Sequence, residues 1–303
     1  MKKKKGKREK IIFIDILKTI AIILVVLFHV LYEITLNNSL RIIGFFGVSL
    51  FFIVSGFILA KAYPNQSFSL KWFAKRYIKI SSLYYLALIA IGLLFANQTY
   101  HGSLFKQLLI KFAFLDAFFP ISQYSIISPA WFLIPLIVLY YLFPILNKII
   151  KKVPYLVFIA FIIMYFIRFK SENLTGYSPL LFIGEFCFGI ALAQGYTLIP
   201  LLASLLIIPL NPYTFIPFPI FYIFSKINWK FLNSIPIMPT ISFIAENTLI
   251  IFLFHESFMK VILNRWHIFQ LSFLPSLIIL IFVTLICIFL SRRINSYFSR
   301  KLE

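Results

Sequence analysis

The sequence predicts an all-helical bundle embedded in a membrane, and three observations predict it. The 303 residues are 61% hydrophobic and only 13% charged, more apolar surface than a soluble domain of this size can bury. The apolar residues fall in long runs parted by short polar or proline-containing breaks, the pattern of a polytopic membrane protein. The net charge of +20 gathers at the ends of those runs, where it orients spans and meets anionic lipid, and this distribution argues against nucleic acid as a partner.

Taken in order, about ten spans are expected, over 11–33, 42–61, 79–97, 129–148, 152–168, 179–195, 197–210, 212–225, 241–263 and 269–291. Seven of the first ten residues are basic. The apolar run that follows is too long, and with Asp15 and Lys18 too polar, to be a cleaved leader. The seventh and eighth runs are short for a crossing and are parted only by Asn211-Pro212. A further stretch, 104–119, carries Lys106, Lys111 and Asp116 and is expected at the interface or as a re-entrant piece.

With the amino terminus inside, 21 basic residues fall on the cytoplasmic side and seven outside. That bias predicts that both termini are cytoplasmic, as basic tails 1–10 and 292–303. Counting 104–119 as a span would place Lys148, Lys151 and Lys152 outside. No loop is long enough for a soluble domain and no internal repeat is evident, so 1–303 is one membrane-embedded domain. Cys187 and Cys287 lie within apolar runs, which predicts no disulfide, and no metal-ligand spacing is present.

Polar groups inside spans are costly and mark function. The first span carries three, Asp15, Lys18 and His29. Lys18 and His29 are eleven residues apart, so they lie about 20° apart around a helix and about 16 Å apart along it. His29 is a candidate general base, with Glu33 and Tyr32 one turn on as candidate orienting groups. Taken alone, His29 reads as well as an interfacial histidine, and Lys18 as a lysine snorkelling to the headgroups with Asp15 as a structural partner.

The stretch Gly44-Phe-Phe-Gly47-Val-Ser49-Leu-Phe-Phe-Ile-Val-Ser55-Gly56 reads first as a helix-packing motif. Arg76 and Lys79 share a helical face; they serve orientation and are also placed to clamp a phosphate. His255 falls in the outer half of the ninth span, and Glu185 is a third intramembrane polar candidate.

These residues together resemble the bacterial acyltransferase-3 family of integral-membrane acyltransferases, which O-acylate cell-envelope sugars. Lys18 and His29 are similar to its opening motif, a basic residue eleven positions before a histidine. Gly47-Val-Ser-Leu-Phe-Phe-Ile-Val-Ser-Gly56 resembles its second-helix signature, and Arg76-Tyr-Ile-Lys79 its basic segment. Pro129-Ala-Trp131 leading into Tyr140-Tyr-Leu-Phe-Pro144 resembles the fourth-helix pattern. Gly184 and Gly189 fit the sixth helix, and His255 the closing one. Lys18 and Lys79 stand where the family more often has arginine, and Ser49 stands in place of a common acid.

The resemblance implies transfer of an acyl group, acetyl foremost, from acyl-CoA to a hydroxyl of an envelope polysaccharide or its lipid-linked precursor. Acetyl-CoA is then a substrate, with no permanently bound cofactor and no metal. It further implies His29 as the catalytic base or acyl relay and Lys18, Arg76 and Lys79 as the acyl-CoA phosphate contacts. Asp15, Glu33, Gly47, Ser55, Tyr84, Trp131 and His255 are the expected supporting residues or cavity walls. The expected partners are acyl-CoA, the glycan acceptor and membrane lipids, and the expected location is the bacterial cytoplasmic (inner) membrane. The alternative is a transporter or flippase of lipid-linked sugars, with Lys18, His29 and His255 along its path; the missing repeats count against it.

Overall fold

A computed structural model describes residues 11–95, 104–112, 114, 127–170, 178–210 and 212–302. Among them are twelve α-helices and no strand. The helices are α1 (Ile12–Thr35), α2 (Arg41–Ala62), α3 (Leu70–Leu94), α4 (Leu104–Phe112), α5 (Leu133–Lys152) and α6 (Leu156–Lys170). They continue as α7 (Ile183–Ala193), α8 (Leu198–Ser204), α9 (Pro217–Lys226), α10 (Met238–Glu246), α11 (Thr248–Ile262) and α12 (Phe273–Lys301). The expected tail 1–10, residues 96–97 of the third expected span, residues 113 and 115–119 of the interfacial stretch, residue 211 and the last residue of the tail 292–303 lie outside the described residues.

Every expected span has a helical counterpart, with different bounds. Among the described residues five helices are long and apolar enough to cross a membrane, α1, α2, α3, α5 and α12, the second and fourth with a short 3-10 lead-in. A sixth is broken: α10 and α11 meet at Asn247 with an 80° bend. The run expected as one span over 241–263 is therefore two short helices. The helices α6 and α7, and α8 with its 3-10 extension, are shorter apolar pieces. The third span begins at Leu70 rather than 79, because Ser69 accepts the Trp72 N–H at 3.3 Å. That cap starts the helix in its polar, juxtamembrane part, which a criterion based on apolar length does not see.

The central helix is α2, buried on most of its faces between α1 and α7. A Cβ at Gly47 would lie 2.5 Å from the Ala21 carbonyl oxygen of α1, and one at Gly56 only 2.1 Å from that of Phe186 on α7. Gly189 of α7 returns the contact, 2.1 Å from the Ile53 oxygen. With no hydrophobic drive between helices in lipid, such backbone approach maximises dispersion contact. The bundle's outer surface is apolar: Ile23, Leu27 and Ile34 on α1, and Leu274, Ile278, Phe282, Leu285 and Phe289 on α12, are exposed.

At 29 residues, α12 is about 43 Å long, against about 30 Å of bilayer core. Its last turns, with Arg292, Arg293, Arg300 and Lys301, therefore run past the hydrocarbon. Its inner stripe of Ser276, Leu280, Thr284, Cys287 and Ser291 is buried, and Ser291 meets Ser82 of α3 at 3.0 Å. Nine-residue α4 is no span. Its last carbonyls, on Lys111 and Phe112, accept the hydroxyls of Tyr84 at 3.2 Å and Tyr85 at 3.0 Å from α3.

Candidate active site

The polar stripe of α1 faces the broken pair α10–α11. At its first turns Asp15, 9% exposed, accepts the Ser242 hydroxyl at 3.0 Å. One turn on, Thr19 donates to the Ile241 carbonyl at 3.0 Å and Lys18 donates to the Ala245 carbonyl. The break explains that contact. The last carbonyls of a helix have no intrahelical partner and carry its negative pole, so a cation satisfies both needs. Asn247 supplies a further donor from within the break, its Nδ2 bonding the Phe243 carbonyl at 2.7 Å.

Higher on the same stripe, His29 meets His255 of α11, their rings edge to face with centroids 4.7 Å apart. Each ring is tied by Nδ1 to a carbonyl of its own helix, His29 to Val25 at 2.8 Å and His255 to Phe252 at 2.9 Å. A carbonyl only accepts, so in both rings Nδ1 carries the hydrogen and Nε2 presents its lone pair. His255 is buried, and its Nε2 has no hydrogen-bond partner among the described residues. The arrangement is a pair of basic nitrogens held by their own backbones inside the bundle, able to take a proton from a hydroxyl and to share it.

The other expected site residues are distributed as follows. Glu33 pairs with Arg265, which also donates to the Glu33 carbonyl at 3.0 Å. It does not orient His29, whose ring is held by Val25. Arg76 lies over the ring of Tyr63 at 4.6 Å and that of Trp72 at 5.9 Å, a cation–π seat. Beside it the Tyr140 hydroxyl bonds Ser55, a grouping that no spacing in the sequence announces.

Lys79 is exposed and lines a groove with Lys75, Asn295 and Ser299 between α3 and the end of α12. The three cations expected to share one ligand, Lys18, Arg76 and Lys79, thus each meet different neighbours. Tyr84 is buried, bonded to the Lys111 carbonyl and stacked on Phe114 with centroids 5.1 Å apart. Trp131 packs between Phe45 and Phe182, at 6.4 and 5.9 Å. Its neighbour Phe132 packs at a tilt against Phe252, centroids 4.1 Å apart, and Phe252 lies 5.9 Å from His255. Gly47 is spent on contact with α1.

One site was legible only in half. Glu185, fully buried, accepts from the Ser49 hydroxyl at 3.1 Å and from Arg168 Nη2 at 2.5 Å, both at Oε1. The acid stands out in its apolar run, whereas Arg168, the last residue of the expected fifth span, is marked by nothing in its spacing. Among the described residues no group of three His, Cys, Asp or Glu is placed to hold a metal, and both cysteines are free and buried.

Neither a curated protein nor a solved structure matches the chain. Residues 11–216 match the family model described as acyltransferase domain. That stretch holds Lys18, His29, Arg76, Lys79 and Glu185, whereas His255 and the rest of the α10–α11 pair lie beyond it. With two thirds of its length matched, the chain belongs to the acyltransferase-3 family.

Proposed function

We propose that the protein moves an acetyl group from acetyl-CoA to a hydroxyl of a cell-envelope glycan, or its lipid-linked precursor, in the bacterial cytoplasmic membrane. The observation that carries the reading is the His29–His255 pair, two imidazoles with Nε2 presented, one buried and one half-buried, within a membrane bundle where such groups are costly. His29 Nε2 takes the proton of the acceptor hydroxyl as its oxygen attacks the thioester carbonyl. The carbon–sulfur bond then breaks, and the CoA thiolate leaves and takes up the proton. His255 Nε2, beside it, accepts a share of the charge that His29 gains. A positioned base of this kind contributes about 10²–10⁴-fold.

In this reading Arg76, Lys75 and Lys79 at the start of α3 receive the CoA phosphates. Arg76 is the fork-shaped donor among them, and the lysines act as point charges. Lys18 holds α10 against α1, so that α11 brings His255 to His29. Both termini face the cytoplasm. Helices α8 and α9 enter and return together, so the orientation does not depend on either reaching the far side.

The test is mass spectrometry of envelope glycans from cells with and without the gene, fed isotopically labelled acetate. The labelled acetyl group disappears on deletion, returns with the wild-type chain, and does not return with His29→Ala. Unchanged acetylation in the deletion strain overturns the proposal.

A further inference from the structure

At the His29 end of the bundle lies a second polar centre that the reaction above does not use. A cavity of about 240 Å³ opens between α2, the end of α6, the 3-10 turn before α7 and residues 213–217. This is below the range of about 300–1,000 Å³ for whole small-molecule ligands, so it suits one group of a larger molecule. Its walls are flat and apolar, from Phe45, Phe182 and Tyr213, and its polar groups are Ser49, Thr214 and Arg168. Neither histidine lines it.

Behind Ser49 and Arg168 stands Glu185, fully buried. Its Oε1 takes both their hydrogen bonds, and its Oε2 has no partner among the described residues. Arg168 is fixed further by the Leu181 carbonyl, at 3.1 Å from Nε and 2.7 Å from Nη2, and its guanidinium lies 5.7 Å from the Phe182 ring centroid.

Two features decide what such a cavity takes. The Arg168–Glu185 pair cancels its own charge, so the site offers donors and acceptors without a net field to draw in an anion. The Ser49 hydroxyl gives its hydrogen to Glu185 and so presents a lone pair to a ligand hydroxyl, and aromatic faces take the apolar face of a ring. Depth agrees. Ser49 lies about 12 Å below the start of α2 and His29 about 9 Å below the end of α1, and those two ends are joined by residues 36–40.

We propose that this cavity is a subsite for a neutral, hydroxylated ring of the acceptor, one other than the ring that is acylated, with Ser49 and Arg168, both held by Glu185, reading its hydroxyls. The proposal rests on the acceptor being a glycan, as above.

The test uses the full chain in nanodiscs without an acyl donor. Radiolabelled monoglucosyl-diacylglycerol is bound to saturation and competed with glucuronosyl-diacylglycerol and with plain diacylglycerol. The glucosyl lipid should bind at least tenfold tighter than either. Glu185→Gln removes the carboxylate that pairs with Arg168 and should turn the preference towards the glucuronosyl lipid, which loss of packing alone would not do. Should that variant fail to fold, Phe45→Ala decides: its ring is 46% exposed, and its loss should weaken glucosyl binding at least tenfold.

Equal competition by diacylglycerol would make the cavity a lipid-tail groove, and a wild-type preference for the acidic head would make it an anion site. Either result overturns the proposal, as does unchanged binding by Phe45→Ala. Because no acyl donor is present, failure here leaves acyl transfer standing, and loss of acyl transfer in the glycan assay leaves this binding result standing.

Discussion

Between α2 and α7 the backbones touch, Gly56 against Phe186 and Gly189 against Ile53, and the contact is continuous along the helices. Between α1 and the α10–α11 pair the backbones are joined by side chains instead: Asp15 to Ser242, Thr19 to Ile241, Lys18 to Ala245, His29 to His255. The first seam gains its energy from close packing and leaves no room for a ligand. The second needs a broken helix, because only a helix end exposes carbonyls for Lys18 and only a change of direction sets His255 opposite His29. A membrane bundle with one seam of each kind has a rigid half and a chemical half, and α2 separates the cavity beside Glu185 from the histidines.

The largest effect expected breaks the rigid seam. In Gly56→Val the new Cβ meets a backbone oxygen at 2.1 Å, which no side-chain rotation relieves. The cost should exceed the ~3 kcal/mol of ordinary overpacking, and size-exclusion chromatography in detergent should find no monodisperse protein.

The chemical seam should behave in the opposite way. His29→Ala removes a half-exposed ring, so the protein should remain monodisperse while acyl transfer falls by about 10²–10⁴-fold. His255→Phe keeps an aromatic ring in the core but removes the unpartnered Nε2, and transfer should fall by a smaller factor. A larger loss than in His29→Ala would assign the base to the other histidine.

Lys18→Met sharpens the comparison. It withdraws a charged donor from the Ala245 carbonyl and should cost about 1–3 kcal/mol, read as a lower thermal midpoint. Loss of acyl transfer without that drop would instead make Lys18 a ligand contact. The smallest effect belongs to Glu33→Gln. Its partner Arg265 is half exposed, and an exposed pair is worth about 0–1 kcal/mol, so stability and transfer should both stay near wild type.

The chemical seam was legible in α1. The eleven-residue spacing of Lys18 and His29 places both on one stripe, and the structure sets that stripe against one partner pair. The glycine-rich run reads first as packing, and at Gly47 and Gly56 the structure sets it against the backbones of α1 and α7. Three features lay outside what periodicity carries. The break at Asn247 sits in an apolar run with no Pro or Gly from Ile241 to Leu263, and it is met by donors from α1 and from Asn247 itself.

The second feature is Arg168, which finds Glu185 seventeen positions further along the chain, a separation with no helical period to announce it. The third is the pair α8 and α9. The apolar character of this region is real, but Pro200, Pro212, Pro217 and Pro219 divide it into pieces too short to cross alone.

The central claim is that the His29–His255 pair is where the acyl group changes hands, and purified protein in nanodiscs tests it most directly. Thiol release from acetyl-CoA, followed in the presence of an envelope glycan extract, should be acceptor-dependent for the wild-type chain. His29→Ala, at equal loading and equal monodispersity, should release thiol no faster than empty nanodiscs. Acceptor-dependent release at the wild-type rate by that variant would contradict the account and move the chemistry away from the histidines.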